Sequence, residues 1–252
     1  MSAYESFAGV YDELMDDVPY DDWCAFLQNE LALHGITDGL ALELGCGTGK
    51  MMERLARAGY DMIGVDSSVD MLQIAMEHAR ELPYSLLYLL QDMREFELYG
   101  TVRAVVSICD SVNYITEPED LIEVFRLVNN YLDPEGIFLF DFNTEHKYRD
   151  IIGERVIAED REDVSFIWYN EYDEEEHLNY IDLSVFVQEE GDIFRKYQEQ
   201  HVQRGYSLEE MKKLIAESGL VYLAAYDDYT KKPATDESER IVFVVREQGK
   251  GV

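Results

Sequence analysis

The sequence predicts an α/β protein: a seven-stranded, mostly parallel sheet with helices on both faces, carrying an inserted antiparallel sheet. Two observations lead there. Between residues 40 and 142, short apolar runs alternate with amphipathic segments, as strands do when each returns through a crossover helix. Between residues 154 and 205, four runs instead alternate apolar with polar positions and are separated by acidic turns, the pattern of antiparallel strands with one solvated face. A chain of 252 residues, 47% apolar, has the material for one such domain with an insertion.

The N-terminal 35 residues read as helical, broken at Val18-Pro19-Tyr20-Asp21, with Asp21 expected to cap a helix that aligns Trp23, Phe26, Leu27 and Leu31. Leu40 to Leu44 is the first strand, followed by a glycine-rich turn and a helix to about Ala58. Asp61 to Val65 is the second strand and Val69 to Arg80 its helix. Leu86 to Leu90, Val102 to Ile108 and Ile137 to Phe142 are further strands, with a helix from Glu119 to Tyr131 before the last. The four runs of the insert begin at Val156, Val164, Leu178 and Phe194, and Asp173 to Glu176 and Glu189 to Asp192 are hairpin turns. Ser207-Leu208-Glu209-Glu210 has the form of a capping box and starts a helix that ends near Gly219. Strands at Val221 to Tyr226 and Ile241 to Val245 complete the sheet. The division is therefore residues 1–153 with 206–252 as the parent domain and 154–205 as the insert; the loop from Thr230 to Glu239 is expected to be mobile.

Composition narrows the function classes. The formal net charge of -32 opposes a polyanionic partner at long range, and the largest basic clusters, Lys212-Lys213 and Lys231-Lys232, are too small for a nucleic-acid footprint. No apolar run is long enough to span a membrane, and Met1 to Glu5 lack a secretory pattern. Three cysteines without metal or redox spacing and five scattered histidines predict neither a disulfide framework nor a metal site. The expectation is a cytoplasmic protein, monomer or homodimer, with no nucleic-acid or membrane partner.

The chemistry concentrates at strand ends. Glu43-Leu44-Gly45-Cys46-Gly47-Thr48-Gly49 follows a strand and opens a helix, and its glycines let a ligand approach the backbone. A dinucleotide fingerprint would need glycine three residues after Gly47, where Lys50 stands. Gly64-Val65-Asp66 ends the next strand with a carboxylate able to accept from both hydroxyls of a ribose, or to cap the helix that follows. Gln91-Asp92-Met93 follows the third strand, where a buried acid requires a donor partner.

In this order the three segments resemble motifs of the class I S-adenosylmethionine-dependent methyltransferases, closely over residues 38–145. The resemblance implies a Rossmann-like fold and S-adenosylmethionine as cofactor. It implies binding by Glu43, Gly45, Cys46, Gly47, Thr48 and Gly49, by Asp66, Ser67 and Met71, by Asp92 and Met93 beside the adenine, and by Cys109, Asp110 and Tyr11. Neither the (D/N)PPY motif of exocyclic-amine base methylation nor a Pro-Cys nucleophile follows the fourth strand, which reads Ser107-Ile108-Cys109-Asp110-Ser111-Val112-Asn113-Tyr114. That segment, with Val10-Tyr11-Asp12, is similar to small-molecule enzymes with an inserted sheet, among them sugar-amine N,N-dimethyltransferases and glycine N-methyltransferase-like enzymes.

The expected reaction is in-line transfer of a methyl group to a small-molecule amine or hydroxyl, where holding the reactants collinear and dry supplies most of the catalysis. The acceptor must lose a proton. Tyr11, Asp110, Tyr114 and His201 are the candidate bases. Each has a plainer reading: Tyr11 as a lid aromatic, Asp110 as a cap or a ligand of the methionine amino group, His201 as an ordinary strand residue. Arg204 reads as a binder of an acidic group or as an ion pair with the acidic insert. The insert's aromatics, Trp168, Tyr169, Tyr172, Tyr180, Phe186 and Tyr197, read as a pocket roof or a dimer contact. Competing functions are a nicotinamide oxidoreductase, a non-catalytic S-adenosylmethionine-binding protein, and an RNA or protein methyltransferase.

Overall fold

A computed structural model describes residues 8–250. Met1 to Glu5, read above against a secretory signal, lie outside the described residues. The main sheet has seven strands: β1 (Gly39–Leu44), β2 (Tyr60–Asp66), β3 (Leu87–Leu90), β4 (Val102–Ser107), β5 (Leu132–Asn143), and, after the insert, β10 (Val221–Asp227) and β11 (Arg240–Arg246). Their spatial order is β10-β11-β5-β4-β1-β2-β3, with β11 alone antiparallel to its neighbours. From β1 the chain moves outward through β2 to β3, then returns to start again at β4 beside β1. That reversal opens a crevice beyond the carboxyl ends of β1 and β4, where ligands bind in such sheets.

Alternation within the strands builds two apolar layers. Phe138, Phe140 and Phe142 of β5 face α5 (Pro118–Tyr131) and α6 (Leu208–Ser218), joining Leu42, Phe125, Ile215 and Phe243. Ile137 and Leu139 point the other way, with Ala104 and Val106, against α2 (Tyr20–Leu33) and α3 (Lys50–Arg57). On the first face the rings of Phe138, Phe140 and Phe243 stack with centroids 4.8 and 5.4 Å apart, a geometry that adds to the area they bury.

Helix ends show where the sequence reading was right and where a neighbour overrode it. The Ser207 hydroxyl accepts from the Glu210 amide and Gly219 closes α6 in the left-handed region, as the capping box implied. Asp21 does not cap α2. Pro19 holds that position without a side-chain bond, and Asp21 lies inside the first turn, paired with Arg54 at 2.6 Å. Nor does Asp66 cap α4 (Val69–Ala79); Ser68 does, through the Met71 amide. The loop expected to be mobile is tied back: Ala234 N–H bonds to Ala225 at 3.0 Å, Asp227 N–H to Lys232 at 2.9 Å, and Lys231 pairs with Glu30.

The insert is a four-stranded antiparallel sheet, β6 (Arg155–Asp160), β7 (Val164–Asp173), β8 (Leu178–Glu190) and β9 (Ile193–Arg204), in that order. Val164, Ile181, Leu183 and Val185 on its inner face pack on Val10, Tyr11 and Leu14 of α1 (Ala8–Leu14). Tyr169 and Tyr180 are exposed on the outer face. Asn113, in the 3₁₀ turn Ser111–Tyr114, stitches the two sheets. Its amide nitrogen donates to the carbonyls of Asn143 at 2.9 Å and Arg204 at 2.7 Å, and its oxygen accepts from Asn143 N–H at 2.9 Å.

Leucine at Asn113 would leave a buried amide and two carbonyls unpartnered, each costing on the order of 1–3 kcal/mol if water cannot reach it. Asn113→Leu is therefore expected to melt about 5–10 °C below the parent chain. Equal melting temperatures in differential scanning calorimetry would mean the junction carries no such load.

Candidate active site

The loops after β1 and β4 meet across the crevice. Gly45 has φ 70°, and a Cβ there would collide with Ser111, leaving room for no other residue. Gly47, at φ 51°, faces open space, so its backbone is free to be approached. Gly49 plays another part: it precedes α3 at φ 82°, where a Cβ would strike the Tyr88 hydroxyl, and it does not line the cleft.

Around these loops lies a cleft of about 290 Å³. Of the residues singled out in the sequence, Glu43, Gly45, Cys46, Gly47 and Thr48 line it from the first loop, and Asp66, Ser67 and Met71 from the second strand's end. Asp92 and Met93 line it after β3, Cys109 after β4, and Tyr11 from α1. Sequence reasoning missed Tyr20, Lys50, Gln91, Arg94 and Ser111, which also line it. Lys50 was visible only as an argument against a dinucleotide site, and Tyr20 carried no signal beyond helix patterning.

Asp66 holds the glycine loop in place, accepting from Gly47 N–H and Ser68 N–H, each at 2.8 Å. A carboxylate offers about four lone-pair positions, so acceptor capacity remains for a diol. Glu43 is buried in the cleft lining; the Met52 amide donates to it, while its Oε2 has no hydrogen-bond partner. Burial, reinforced by Asp66, holds the Glu43 carboxyl well above its ordinary pKa. Asp92 differs from its expected setting. β3 is an edge strand, Asp92 is partly exposed, and Arg94 engages its carboxylate at 2.6 Å, pulling its pKa down. Its donor is thus a neighbour in the chain.

Thr48 is turned toward α1, donating to Asp12 at 2.6 Å, and Lys50 meets the same carboxylate at 3.0 Å. On the same C-terminal half of α1, Arg161 of the insert reaches the Glu13 carbonyl and, just past the helix, Asp16. Held from both the parent domain and the insert near its C-terminal end, α1 brings Tyr11 to the cleft. Burial drives the Tyr11 phenol well above its ordinary pKa, with Cys109, Tyr20, Tyr114 and Asp110 close by.

Asp110 and His201 do not line the cleft. Cys109 and Asp110 both lie in the left-handed region, φ 56° and 52°, a conformation that costs most residues about 1 kcal/mol or more and needs outside support. Asp141 of β5 supplies it, accepting from Cys109 N–H at 3.2 Å and Asp110 N–H at 2.6 Å. Asp141 also accepts from the Tyr229 hydroxyl at 2.6 Å and Arg240 at 2.8 Å, and Arg240 reaches Asp110 at 3.0 Å. Gln203 donates to the other Asp110 oxygen at 2.8 Å. The Asp110 side chain is consumed by this network. His201 is buried behind the cleft wall, its Nδ1 3.2 Å from the hydroxyl of Tyr114, a residue that does line the cleft. Arg204 bonds the Glu176 carbonyl and pairs with Glu210 of α6.

Comparison with known proteins assigns this arrangement. Residues 41–136 match the sequence family described as Methyltransferase domain. YqeM of Bacillus subtilis (strain 168), named only as a methyltransferase, is 36% identical over 95% of both chains. The chain belongs to the class I S-adenosylmethionine-dependent methyltransferases. A crystal structure of an S-adenosylmethionine-dependent methyltransferase from Clostridium acetobutylicum ATCC 824 superposes on this methyltransferase with a TM-score of 0.89, at 29% identity, covering 98% of this chain and 99% of that one. The dTDP-3-amino-3,4,6-trideoxy-alpha-D-glucopyranose N,N-dimethyltransferase of Streptomyces venezuelae is 35% identical over 40% of each chain.

The methyltransferase's own residues fit the cofactor. Glu43 offers a cation an unpartnered buried oxygen, Gly47 presents bare backbone, and Asp66 has acceptor capacity at a strand end. Among the described residues no group of three or more His, Cys, Asp or Glu is placed to hold a metal ion, and no helix is long and apolar enough to cross a membrane.

Proposed function

We propose that this methyltransferase acts on a small molecule, transferring the methyl group to an amine or hydroxyl. The observation that carries the reading is the aromatic lining of the cleft apart from the glycine loop. That lining includes Tyr11 of α1, Tyr20, Cys109 and Tyr114, three aromatic rings and a thiol. Such a space suits a compact acceptor better than a folded macromolecule. The net charge of -32 opposes a polyanionic acceptor. The Streptomyces venezuelae relative named for an amino-sugar acceptor is consistent with an amine.

Bound S-adenosylmethionine supplies an already activated methyl group. The residues' part is placement. Glu43 takes the ammonium end, Gly45 to Gly47 admit the middle of the molecule to the backbone, and Asp66 takes the ribose hydroxyls. Met71 and Met93 flank the adenine, with Asp92 at its rim. Tyr11 and Cys109 bound the space where the acceptor meets the methyl group, and α1 excludes water from it.

Calorimetric titration with S-adenosylhomocysteine and, separately, NADH tests the donor side, and methyl uptake from labelled S-adenosylmethionine by panels of small amines and hydroxylated compounds tests the acceptor. Micromolar binding of S-adenosylhomocysteine alone, with uptake by a panel member, is the expected result. Uptake confined to RNA or protein would overturn the small-molecule reading.

A further inference from the structure

We propose that Tyr114, His201 and Glu199 form a buried proton-accepting chain that opens on the cleft at the Tyr114 hydroxyl and takes the proton of the methyl acceptor. The inference rests on the small-molecule reading above and narrows it. The acceptor is then a compound whose nucleophilic atom carries a proton at neutral pH, a hydroxyl or a protonated primary or secondary amine.

The starting observation is the inner face of β9. Its neighbour β8 turns Leu183 and Ile181 inward, as a buried face requires. Directly opposite them β9 turns in Glu199 and His201, followed by Gln203, all three buried. Burying such groups costs roughly 1–3 kcal/mol each unless they are partnered, so what each of them meets decides its part. Gln203 is explained by Asp110 and by the Tyr148 hydroxyl, which donates to it at 2.9 Å. Glu199 and His201 are not needed for that junction. They lead toward the cleft instead: Glu199 Oε2 stands 3.6 Å from His201 Nε2, and His201 Nδ1 stands 3.2 Å from the Tyr114 hydroxyl.

Electrostatics fixes the direction of this chain. With the imidazole proton on Nε2, it faces the Glu199 carboxylate, and the Nδ1 lone pair is left to accept from the Tyr114 O–H. The other tautomer would set the Nε2 lone pair against a carboxylate. Carboxylate, imidazole and hydroxyl thus stand in the order that makes a hydroxyl basic in hydrolase triads, here with a phenol at the open end.

In the step itself the acceptor–carbon bond forms as the donor's carbon–sulfur bond breaks, its electron pair leaving on sulfur. The acceptor's proton passes to Tyr114 Oη while the phenol proton moves to His201 Nδ1. A positive charge disappears at sulfur as one appears on the imidazole, where Glu199 offsets it, so the buried site carries the same net charge before and after. The proton leaves to solvent when products depart.

Other groups face the chain. Tyr114 is approached by Tyr11 of α1 and by Tyr148 of the turn Lys147–Ile152, with Asp110 near both. Burial lowers the His201 pKa to about 4, so the imidazole is neutral at all higher pH and takes up a proton only in the step itself, as the sulfonium charge is lost. The rate is expected to be flat above about pH 5 and to fall as His201 protonates below it.

Two measurements on the full chain test this. In protein labelled with 15N-histidine, long-range proton–nitrogen spectra at pH 7 should place the His201 proton on Nε2, the signal being assigned by its loss in His201→Gln. The Nδ1 resonance should shift in Tyr114→Phe. A proton on Nδ1, or no response to Tyr114→Phe, would overturn the proposal whatever the acceptor proves to be. In methyl uptake, His201→Gln and Tyr114→Phe should lose roughly 10²- to 10⁴-fold at pH 7. Both should regain rate as pH rises and the acceptor ionises unaided, with S-adenosylhomocysteine affinity held within about twofold. Full activity in both variants overturns the chain and leaves small-molecule methylation standing. Failure of the unaltered protein to methylate any amine or hydroxyl overturns the underlying reading and this inference with it. Should His201→Gln not fold, Tyr114→Phe, at the cleft wall, decides.

Discussion

Replacing Arg240 by methionine is expected to destabilise the protein by about 3–5 kcal/mol, the cost of leaving a buried carboxylate without its cation, and to lower the melting temperature by on the order of 10 °C. Asp141 has no exposed surface and Arg240 is the cation that reaches it. Burial already raises the Asp141 pKa, with Arg240 opposing the rise. Without the guanidinium the folded-state pKa climbs further above the unfolded value. Between those two values the folded protein binds more protons than the unfolded one, so stability falls as pH rises through the interval. The variant's deficit is therefore largest at neutral pH and shrinks on acidification, as Asp141 becomes neutral in the folded state. Melting curves of both proteins at pH 7.5 and pH 5 check this, and equal deficits at both would mean that charge on Asp141 is not the cause. The same substitution loosens the Cys109–Asp110 turn, so S-adenosylhomocysteine should bind more weakly even where the fold survives.

Glu43→Gln is expected to pull stability and binding in opposite directions. In the empty protein the Glu43 carboxylate is buried with one oxygen unpartnered, and its pKa is raised by burial and then by Asp66. A raised carboxyl pKa means that ionisation costs stability once pH exceeds the unfolded value. The neutral amide removes that cost, and the empty variant should melt a few degrees higher at pH 7, by about 1–3 kcal/mol. The gain vanishes below the ordinary carboxylate range, where the parent residue is protonated in both states. Binding moves the other way: an ammonium group loses its charged partner, weakening S-adenosylhomocysteine roughly 10- to 100-fold. Calorimetry with and without ligand reads both effects. Loss of stability and affinity together would mark Glu43 as a packing residue.

What could be read from the sequence was whatever a single local constraint demands. Gly45 must be glycine because Ser111 occupies the space a Cβ needs, and Asp66 follows its strand at a fixed offset. The strands of the insert were legible because alternation is local too. What escaped depends on partners far along the chain. Asp110 is drawn from the cleft by Arg240 and Gln203, 130 and 93 residues away. Thr48 is diverted by Asp12. Asp92 is neutralised by Arg94, only two residues on, but in an orientation no pattern specifies. On β9 alternation was visible while its sense was not: with polar residues on both faces, nothing local says that Glu199, His201 and Gln203 point inward.

The inserted sheet leaves and rejoins the parent fold at one place, for Thr144 and Tyr206 pair as a parallel bridge and Glu145 N–H bonds to the Tyr206 carbonyl at 3.1 Å. Everything between them hangs from a single doorway. A segment attached in that way can be exchanged or lengthened without moving the glycine loop after β1, provided the end of β9 keeps its bonds from Gln203 to Asp110 and from Asn113 to the Arg204 carbonyl. If acceptor preference resides in that segment, it can change in descent by replacing one contiguous cassette, while donor recognition is inherited intact.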